Sequence, residues 1–232
     1  MRAILLAGGL GTRLKPLTND TPKCLMKIGK KPLLEIWLDI LTDSGIESFL
    51  INTHYLHKQV EEFVDKSKYK NKIILVHEPN LLGTAGTLIK NSSFFNGDAG
   101  MLIHADNYSM ENIRLFMSAH RNRPKGCLMT MMLFHTNNPK ECGVVELDSN
   151  GIVVEFYEKV ESPPSSLASG AIYILSSEII NKINNDYIAM NDFSTEIVPN
   201  FMGKIFAFET KKTFIDIGTV ENYYFANSLC NE

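Results

Sequence analysis

The most constraining feature of the chain is its first 23 residues, which combine a short apolar strand, a glycine-rich loop and two basic residues. The strand reads AILLA over residues 3–7, and the loop after it contains Gly8, Gly9 and Gly11. Glycine permits positive φ angles and lets backbone N–H groups come close to an anion. Arg13 and Lys23 add two fixed positive charges. The sequence therefore predicts a strand that leads into a phosphate-binding loop, with a nucleotide as its ligand.

Two other kinds of glycine-rich nucleotide site do not match this loop. A dinucleotide-binding fingerprint needs G-x-G-x-x-G and an acidic residue about 20 positions further on. Here Leu14 stands where the last glycine would be, and the second predicted strand ends at Asn52 and Thr53. The pattern G-x-x-x-x-G-K-[ST] does not occur either. A nicotinamide-dependent dehydrogenase is therefore disfavoured, while a tight turn without a ligand stays open for the glycines alone.

Composition excludes several other classes of protein. With 232 residues, 44% of them hydrophobic, the chain is long enough to form one domain with a substantial core. Its net charge of −3 and the lack of a basic run argue against a nucleic-acid partner. No apolar stretch reaches the ~18 residues of a membrane span, and the four scattered cysteines are expected to be free thiols. We expect a cytoplasmic protein without membrane partners, and leave open whether it is a homo-oligomer.

Hydrophobic periodicity predicts an α/β fold. Short apolar runs alternate with longer amphipathic segments through residue 126, which is typical of a Rossmann-like, doubly wound and mostly parallel sheet. A helix is predicted over 33–44, ending at Gly45. Its core face is predicted to consist of Leu33, Leu34, Trp37, Ile40 and Leu41. From residue 127 the runs become shorter strands separated by turns, so a small β-rich lobe is expected there.

Two acidic residues follow or interrupt apolar runs. Asp106 comes directly after MLIHA, at the predicted carboxyl end of a strand, and Asp216 lies within FIDIGT. An acid in such a position needs a cation or an opening towards the ligand crevice. Either residue could instead cap the segment that follows it.

Several motifs resemble those of the sugar-1-phosphate nucleotidyltransferases. That family opens with GGxGTRLxPLT followed by PKxL and KPL, and this chain has GGLGTRLKPLT, TPKCL and KKPLLE. The likeness continues to Asp216 and covers nearly the whole chain. It implies the nucleotide-diphospho-sugar transferase fold in a single domain over 1–232, with a nucleotide-binding half (1–126) and a sugar-binding half (127–232). It also implies transfer of a nucleotidyl group to a sugar 1-phosphate, with Mg²⁺ as cofactor.

The resemblance assigns roles to the residues that match the family's motifs. Arg13 and Lys23 would be catalytic, and Asp106 and Asp216 would bind Mg²⁺. The nucleotide would contact Leu6, Ala7, Gly8, Gly9, Gly11, Thr12, Arg13, Gly83, Thr84, Ala85 and Gly86. The sugar phosphate would contact Lys23, Gly143, Glu158, Lys159, Ser169 and Gly170. From charge alone, Glu158 and Lys159 could equally be a solvated ion pair, and Thr84 could be a helix cap.

The nucleotide is predicted from residues 78–88, EPNLLGTAGTL. This segment resembles the base-reading loop of guanylyl-transferring members, whereas uridylyl- and thymidylyl-transferring members usually carry a version that contains Gln. We therefore expect GMP transfer from GTP to mannose or heptose 1-phosphate, in the supply of GDP-sugars for cell-surface polysaccharide. A uridylyl- or cytidylyltransferase is the alternative enzyme, and a nucleotide-sensing regulatory subunit is the alternative without catalysis.

Overall fold

The computed structural model describes residues 1–230. These residues form two compact units. The first unit contains Met1–Leu81, Ile103–Glu111 and the segment from Lys212 onwards. The second unit contains Leu82–Leu102 and Asn112–Lys211. The first unit is thus assembled from three separate stretches of chain. The predicted division into nucleotide and sugar halves concerns substrate binding, and it stays a prediction.

A parallel ladder forms the centre of the first unit. Its strands β1 (Arg2–Leu6), β4 (Phe49–Thr53) and β5 (Ile73–His77) pair in parallel, with Ala3 opposite Phe49. These are the runs that the sequence marks as apolar, and most of the side chains of β1 and β4 are buried. Parallel strands are typically covered on both faces, which explains their continuous hydrophobicity. The predicted α/β class with a mostly parallel sheet is confirmed.

The remaining elements of the first unit are short strands and three helices. The strands are β2 (Lys27–Ile28), β3 (Lys31–Pro32), β7 (Asn107–Ser109) and β13 (Phe214–Asp216). The helices are α1 (Leu33–Asp43), α2 (His57–Lys66) and α6 (Val220–Ser228). Strand β6 (Gly100–His104) crosses the boundary between the units. On α1 the predicted core face is confirmed except at Ile40, which is half-buried, whereas Leu38 is fully buried.

The second unit carries the shorter strands that the sequence predicts after residue 126. Its strands are β8 (Met129–His135), β9 (Gly143–Leu147), β10 (Val153–Glu158), β11 (Leu167–Leu175) and β12 (Ile205–Glu209). Its helices are α3 (Gly83–Lys90), α4 (Ile113–Arg121) and α5 (Ser177–Asp186). Strands β8 to β11 pair in antiparallel fashion, and β12 adds to β8 in parallel.

Two expectations from composition can be compared with the structure. All four cysteines, Cys24, Cys127, Cys142 and Cys230, are free thiols, as predicted. Within residues 1–230, no helix has the length and apolar character that crossing a membrane requires.

Candidate active site

The glycine-rich loop after β1 has a conformation that its sequence explains. Gly11 adopts a left-handed conformation with φ of 61°, which is unfavourable for residues that carry a Cβ. The fully buried Thr18 donates a hydrogen bond of 2.7 Å from its hydroxyl to the Gly11 carbonyl. A Cβ at this position would lie 3.1 Å from Thr18 Cγ2. The loop is therefore closed by a contact that only glycine accommodates without strain.

The start of the loop is fixed by neighbouring strands. Asn52, buried near the end of β4, accepts a 2.8 Å hydrogen bond through Oδ1 from the Ala7 N–H. The Ala105 N–H, which follows β6, donates to the Leu6 carbonyl at 3.1 Å. This second bond sets the turn that contains Asp106 beside the end of β1. The carboxyl ends of parallel strands are the usual place for a ligand crevice. The glycine-rich loop and Asp106 both lie there, as predicted from the sequence.

Lys23 connects the two acidic residues that the sequence marks. Its Nζ lies 2.7 Å from Asp106 Oδ2 and 3.8 Å from Asp216 Oδ1. The lysine is only 8% exposed. It contacts Asp106 although 83 positions separate the two residues in the chain. A buried ammonium is stable when carboxylates balance it, so this contact gives the lysine a fixed place.

Pairing of β7 with β13 brings the two acids together. The strands are antiparallel, with Asp216 opposite Asn107, the residue that follows Asp106. The Asn222 side chain also donates a 2.8 Å hydrogen bond to the Asp216 carbonyl from the first turn of α6. Backbone register, rather than sequence proximity, thus places both carboxylates next to one lysine.

Their surroundings move the two carboxyl pKa values in opposite directions. Burial raises the pKa of Asp106, but the nearby Lys23 and His104 outweigh it and leave this pKa below its ordinary value. Burial also raises the pKa of Asp216, and repulsion from Asp106 adds to it. Lys23 and Arg13 oppose that rise without cancelling it. A further cation beside the pair would stabilise the charged form of Asp216, whose pKa burial and Asp106 raise.

A cavity of about 120 Å³ opens between the glycine loop and these charged groups. It is lined by Gly9, Gly11, Thr12, Arg13, Leu14, Lys23, Asp106 and Gly218. This loop cavity is smaller than the roughly 300 Å³ or more of a whole small-molecule site, so it suits one part of a ligand, such as its phosphates. Of the residues predicted to bind nucleotide, Leu6 is buried, which leaves mainly its backbone for contacts.

The predicted base-reading segment starts a helix in the second unit. Gly83 begins α3 with φ of 76°, and a Cβ there would lie 2.2 Å from the Asn191 carbonyl oxygen. The Ala85 N–H donates to that oxygen at 2.9 Å, and Ala85 is fully buried. The alternative of a Thr84 cap is wrong, because Leu82 is the capping position and the Thr84 hydroxyl accepts from the Phe193 N–H at 2.7 Å. Close packing of the chain thus accounts for the glycine at position 83.

Three residues predicted to bind the sugar phosphate lie together. Gly143 on β9 pairs with Glu158 on β10, and a Cβ on Gly143 would lie 2.5 Å from Glu158 Oε2. The Lys159 Nζ lies 3.2 Å from Glu158 Oε1. Lys159 has φ of 50°, which is uncommon for a residue other than glycine. Strained backbone residues cluster at functional sites, so the φ angle of Lys159 is consistent with a functional role for Glu158 and Lys159.

Ser169 and Gly170 lie on β11, near an irregularity in its pairing with β8. The Ser169 hydroxyl is 3.2 Å from the Tyr173 hydroxyl, and the Tyr173 ring packs against Phe193 with centroids 4.8 Å apart. Phe193 is the residue that bonds Thr84. Contacts within the second unit therefore connect the predicted sugar-binding strand with the predicted base-reading helix.

Sequence reasoning missed several residues that shape these places. They are Thr18, Asn52, Glu78, Tyr173 and Gly218. Glu78 is buried to 1% exposure just after β5, its N–H donates to the Thr53 carbonyl at 2.8 Å, and its own carbonyl bonds the His54 ring at 2.7 Å. A polar residue at the end of an apolar strand was the available signal for Asn52 and Glu78. Nothing in the sequence indicated what Gly218 or Thr18 contact.

The chain belongs to the nucleotidyl transferase family, whose profile matches residues 2–232. It is 30% identical to D-glycero-alpha-D-manno-heptose 1-phosphate guanylyltransferase of Campylobacter jejuni, over 97% of both chains. It is 28% identical to the mannose-1-phosphate guanylyltransferase catalytic subunit beta of Drosophila pseudoobscura, covering 96% of this chain and 60% of that protein. A UTP–glucose-1-phosphate uridylyltransferase of Synechocystis is 29% identical, with 97% and 62% covered. The chain thus spans about 60% of the length of several relatives.

Among solved structures, HddC from Yersinia pseudotuberculosis is similar throughout. It superposes with a TM-score of 0.82 at 27% identity, covering 98% of each chain. A second structure of that protein, in complex with GMP-PN, gives 0.80 at 26% identity with the same coverage. The chain therefore has the nucleotide-diphospho-sugar transferase fold.

Proposed function

We propose that this protein transfers GMP from GTP to a sugar 1-phosphate, mannose or heptose 1-phosphate, and releases pyrophosphate. The observation that carries the proposal is the loop cavity, where a glycine loop, Arg13 and Lys23 meet two carboxylates. A cavity with this lining suits a reaction between two phosphorylated substrates. It contains no arrangement that would be needed to activate a serine or cysteine nucleophile.

We propose GTP as the nucleotide because of the relatives of this chain. The heptose 1-phosphate guanylyltransferase of Campylobacter jejuni matches this chain over nearly the full length of both, and HddC was solved with GMP-PN. The uridylyltransferase of Synechocystis is similarly close in identity, so UTP is the second candidate nucleotide.

In the proposed reaction, an oxygen of the sugar phosphate attacks the α-phosphorus of the nucleotide. A new P–O bond forms as the bond between the α-phosphorus and its bridging oxygen to the β-phosphate breaks, and that oxygen leaves with pyrophosphate. A phosphate oxygen is already an anionic nucleophile, so no general base is required. The loop N–H groups, Arg13 and Lys23 would hold the phosphates in line and neutralise charge that develops on the leaving group.

Asp106 and Asp216 are the residues that would hold Mg²⁺. Mg²⁺ commonly uses one or two carboxylates and completes its shell with water and substrate phosphate oxygens. The pair fits that requirement, since it offers two carboxylates close together, with Asp106 Oδ2 at 2.7 Å and Asp216 Oδ1 at 3.8 Å from the same Lys23 Nζ. Within residues 1–230 no cluster of three or more His, Cys, Asp or Glu side chains offers a complete protein cage. When bound, the ion would offset the negative charge of the phosphates.

On the sugar side, we assign binding of the sugar phosphate to Lys159 and of sugar hydroxyls to Glu158. The Lys159 ammonium is largely exposed, which leaves it accessible to a phosphate. Glu158 is held over Gly143, so its carboxylate has a defined position for accepting hydrogen bonds from hydroxyl groups. The Ser169 hydroxyl and the Gly170 backbone would complete the sugar contacts.

The test is a grid of pyrophosphate-release assays. GTP, CTP, UTP, ATP and dTTP are each combined with mannose, glucose, N-acetylglucosamine and heptose 1-phosphates, with Mg²⁺ and with EDTA. We expect a Mg²⁺-dependent signal confined to GTP with mannose or heptose 1-phosphate. A signal with UTP would support the uridylyltransferase instead. Nucleotide binding without pyrophosphate release in any combination would contradict catalysis and favour the regulatory subunit.

A further inference from the structure

Gly218 lies at a place where a side chain would meet the functional ends of two others. An ideal Cβ built on it would be 2.9 Å from Asp216 Oδ2 and 3.0 Å from Arg13 Nη2. Both distances are shorter than ordinary contacts between carbon and nitrogen or oxygen. Gly218 also lines the loop cavity and is buried. A side chain at position 218 would therefore meet the guanidinium and the carboxylate at once.

Backbone conformation does not explain the glycine. The φ of Gly218 lies outside the left-handed region, unlike that of Gly11, which needs glycine for its backbone. Alanine can adopt the backbone angles of most residues with negative φ. Glycine is thus needed at position 218 because a side chain has no room there, and not because of the backbone conformation.

The surrounding backbone cannot easily move to make room. Asp216 is paired with Asn107 in the β7–β13 ladder, and its carbonyl accepts the 2.8 Å hydrogen bond from Asn222. Thr219 caps α6 by accepting from the Asn222 N–H at 3.2 Å. The chain is therefore anchored on both sides of Gly218. An added methyl group would instead displace the ends of the Arg13 and Asp216 side chains, which are flexible.

We propose that Gly218, which lines the loop cavity, is a positioning residue whose missing side chain lets the Arg13 guanidinium and the Asp216 carboxylate converge beside it. The inference rests on the proposed function, because the reaction gives these two groups their roles. Displacement of flexible side-chain ends costs little folding stability. Misplacement of reacting or charge-stabilising groups by about 1 Å, however, costs on the order of a hundredfold in rate.

The experiment compares Gly218→Ala with the wild type in pyrophosphate release, using the substrates that give the highest wild-type rate. We expect kcat/KM to fall about a hundredfold, while the thermal unfolding midpoint changes by no more than roughly 4 °C. Glu221→Ala is the matched control, since it lies three residues away, is exposed and should keep wild-type activity. An inactive wild type would refute the proposed function, whereas an active wild type with a fully active Gly218→Ala would refute this inference alone.

A double-variant comparison separates positioning from general damage. Because the Arg13→Ala background removes one of the two groups that the methyl would displace, adding Gly218→Ala to it should lower kcat/KM by clearly less than the hundredfold expected in the wild-type background, the remaining loss coming from Asp216. The same hundredfold loss in both backgrounds would overturn the inference. Should Gly218→Ala unfold by itself, the Arg13→Ala/Gly218→Ala protein, which lacks one of the two crowding groups, is expected to have a higher thermal midpoint than Gly218→Ala. Its failure to do so would also overturn the inference.

Discussion

Replacing Lys23 with methionine would show how far this side chain balances the two carboxylates. Methionine keeps an unbranched apolar stem and removes the charge. The ammonium lies 2.7 Å from Asp106 and 3.8 Å from Asp216, whose side chains are 36% and 38% exposed. Because both acids are more than one third exposed, solvent screens the two attractions strongly, and Coulomb's law with the dielectric constant of water gives about 1.5 and about 1 kcal/mol as their lower bounds.

We therefore expect Lys23→Met to lower the free energy of unfolding by about 2–3 kcal/mol at pH 7.5, including the repulsion left between the acids. For a chain of this length, that loss corresponds to a fall of roughly 5–10 °C in the thermal midpoint. The measurements are urea and thermal unfolding followed by circular dichroism, together with pyrophosphate release. Activity should be lost even where the variant is fully folded.

The effect should depend on pH in a defined direction. In the wild type the pKa of Asp106 is lowered, so its ionised form stabilises the fold above the unfolded pKa of about 3.9 and that contribution disappears as pH falls. Without Lys23, burial and Asp216 would raise the pKa of Asp106, so protonation would stabilise the variant. The stability difference between wild type and variant should consequently be largest above pH 6 and shrink below about pH 5.

Lys182→Met is the control for this reasoning. Lys182 lies 2.9 Å from Asp186, but both side chains are about half exposed, and such surface pairs contribute little. We expect no measurable shift in its thermal midpoint. Equal stability of Lys23→Met and wild type at pH 7.5, or a stability difference that does not change with pH, would refute the argument.

Three further predictions concern the metal ligands, the sugar side and a strained residue. Asp106→Asn and Asp216→Asn should each abolish Mg²⁺-dependent pyrophosphate release while circular dichroism shows an intact fold, and near-normal turnover in either would contradict its metal role. Lys159→Ala should raise the KM for sugar phosphate about tenfold with little change in the KM for nucleotide; the reverse pattern in steady-state kinetics would show that the two substrates are misplaced. Ala171 has φ of 52°, so Ala171→Gly should raise the free energy of unfolding by about 0.5–1 kcal/mol, as measured by urea titration. A destabilised glycine variant would mean that the methyl group matters more than the backbone strain.

Much of the first unit follows from local pattern. Apolar runs of four to six residues predicted β1, β4 and β5, and the amphipathic spacing of residues 33–44 predicted α1 to within one residue of its end. Burial of Leu38 in place of Ile40 was not foreseen, because the side of a helix that faces the core depends on how the helix packs. The antiparallel strands of the second unit were likewise visible as short runs between turns, but their order in the sheet was not.

Some features of the candidate site could likewise be predicted from the sequence, and others could not. Glycines, basic residues and isolated acids indicate positions that could bind phosphate groups or a metal ion. The family motifs connect these positions to nucleotidyl transfer. The strain at Ala171 and at Lys159 was not visible, because φ angles of residues other than glycine are set by tertiary contacts. Gly83 was predicted to contact the nucleotide, and that stays a prediction; the structure shows in addition that a Cβ at this position would lie 2.2 Å from the Asn191 carbonyl oxygen.

By itself, the sequence determined the strand and glycine loop, the α/β class and the membership of the family, because each depends on residue type and on spacing over a few dozen positions. Only the tertiary structure decided that Lys23 meets Asp106 across 83 positions and that Asp216 joins them. Those contacts depend on the register of β7 with β13, and register is set by backbone pairing and packing of whole elements. The same holds for Gly218, whose need for space arises because Arg13 and Asp216 converge on it.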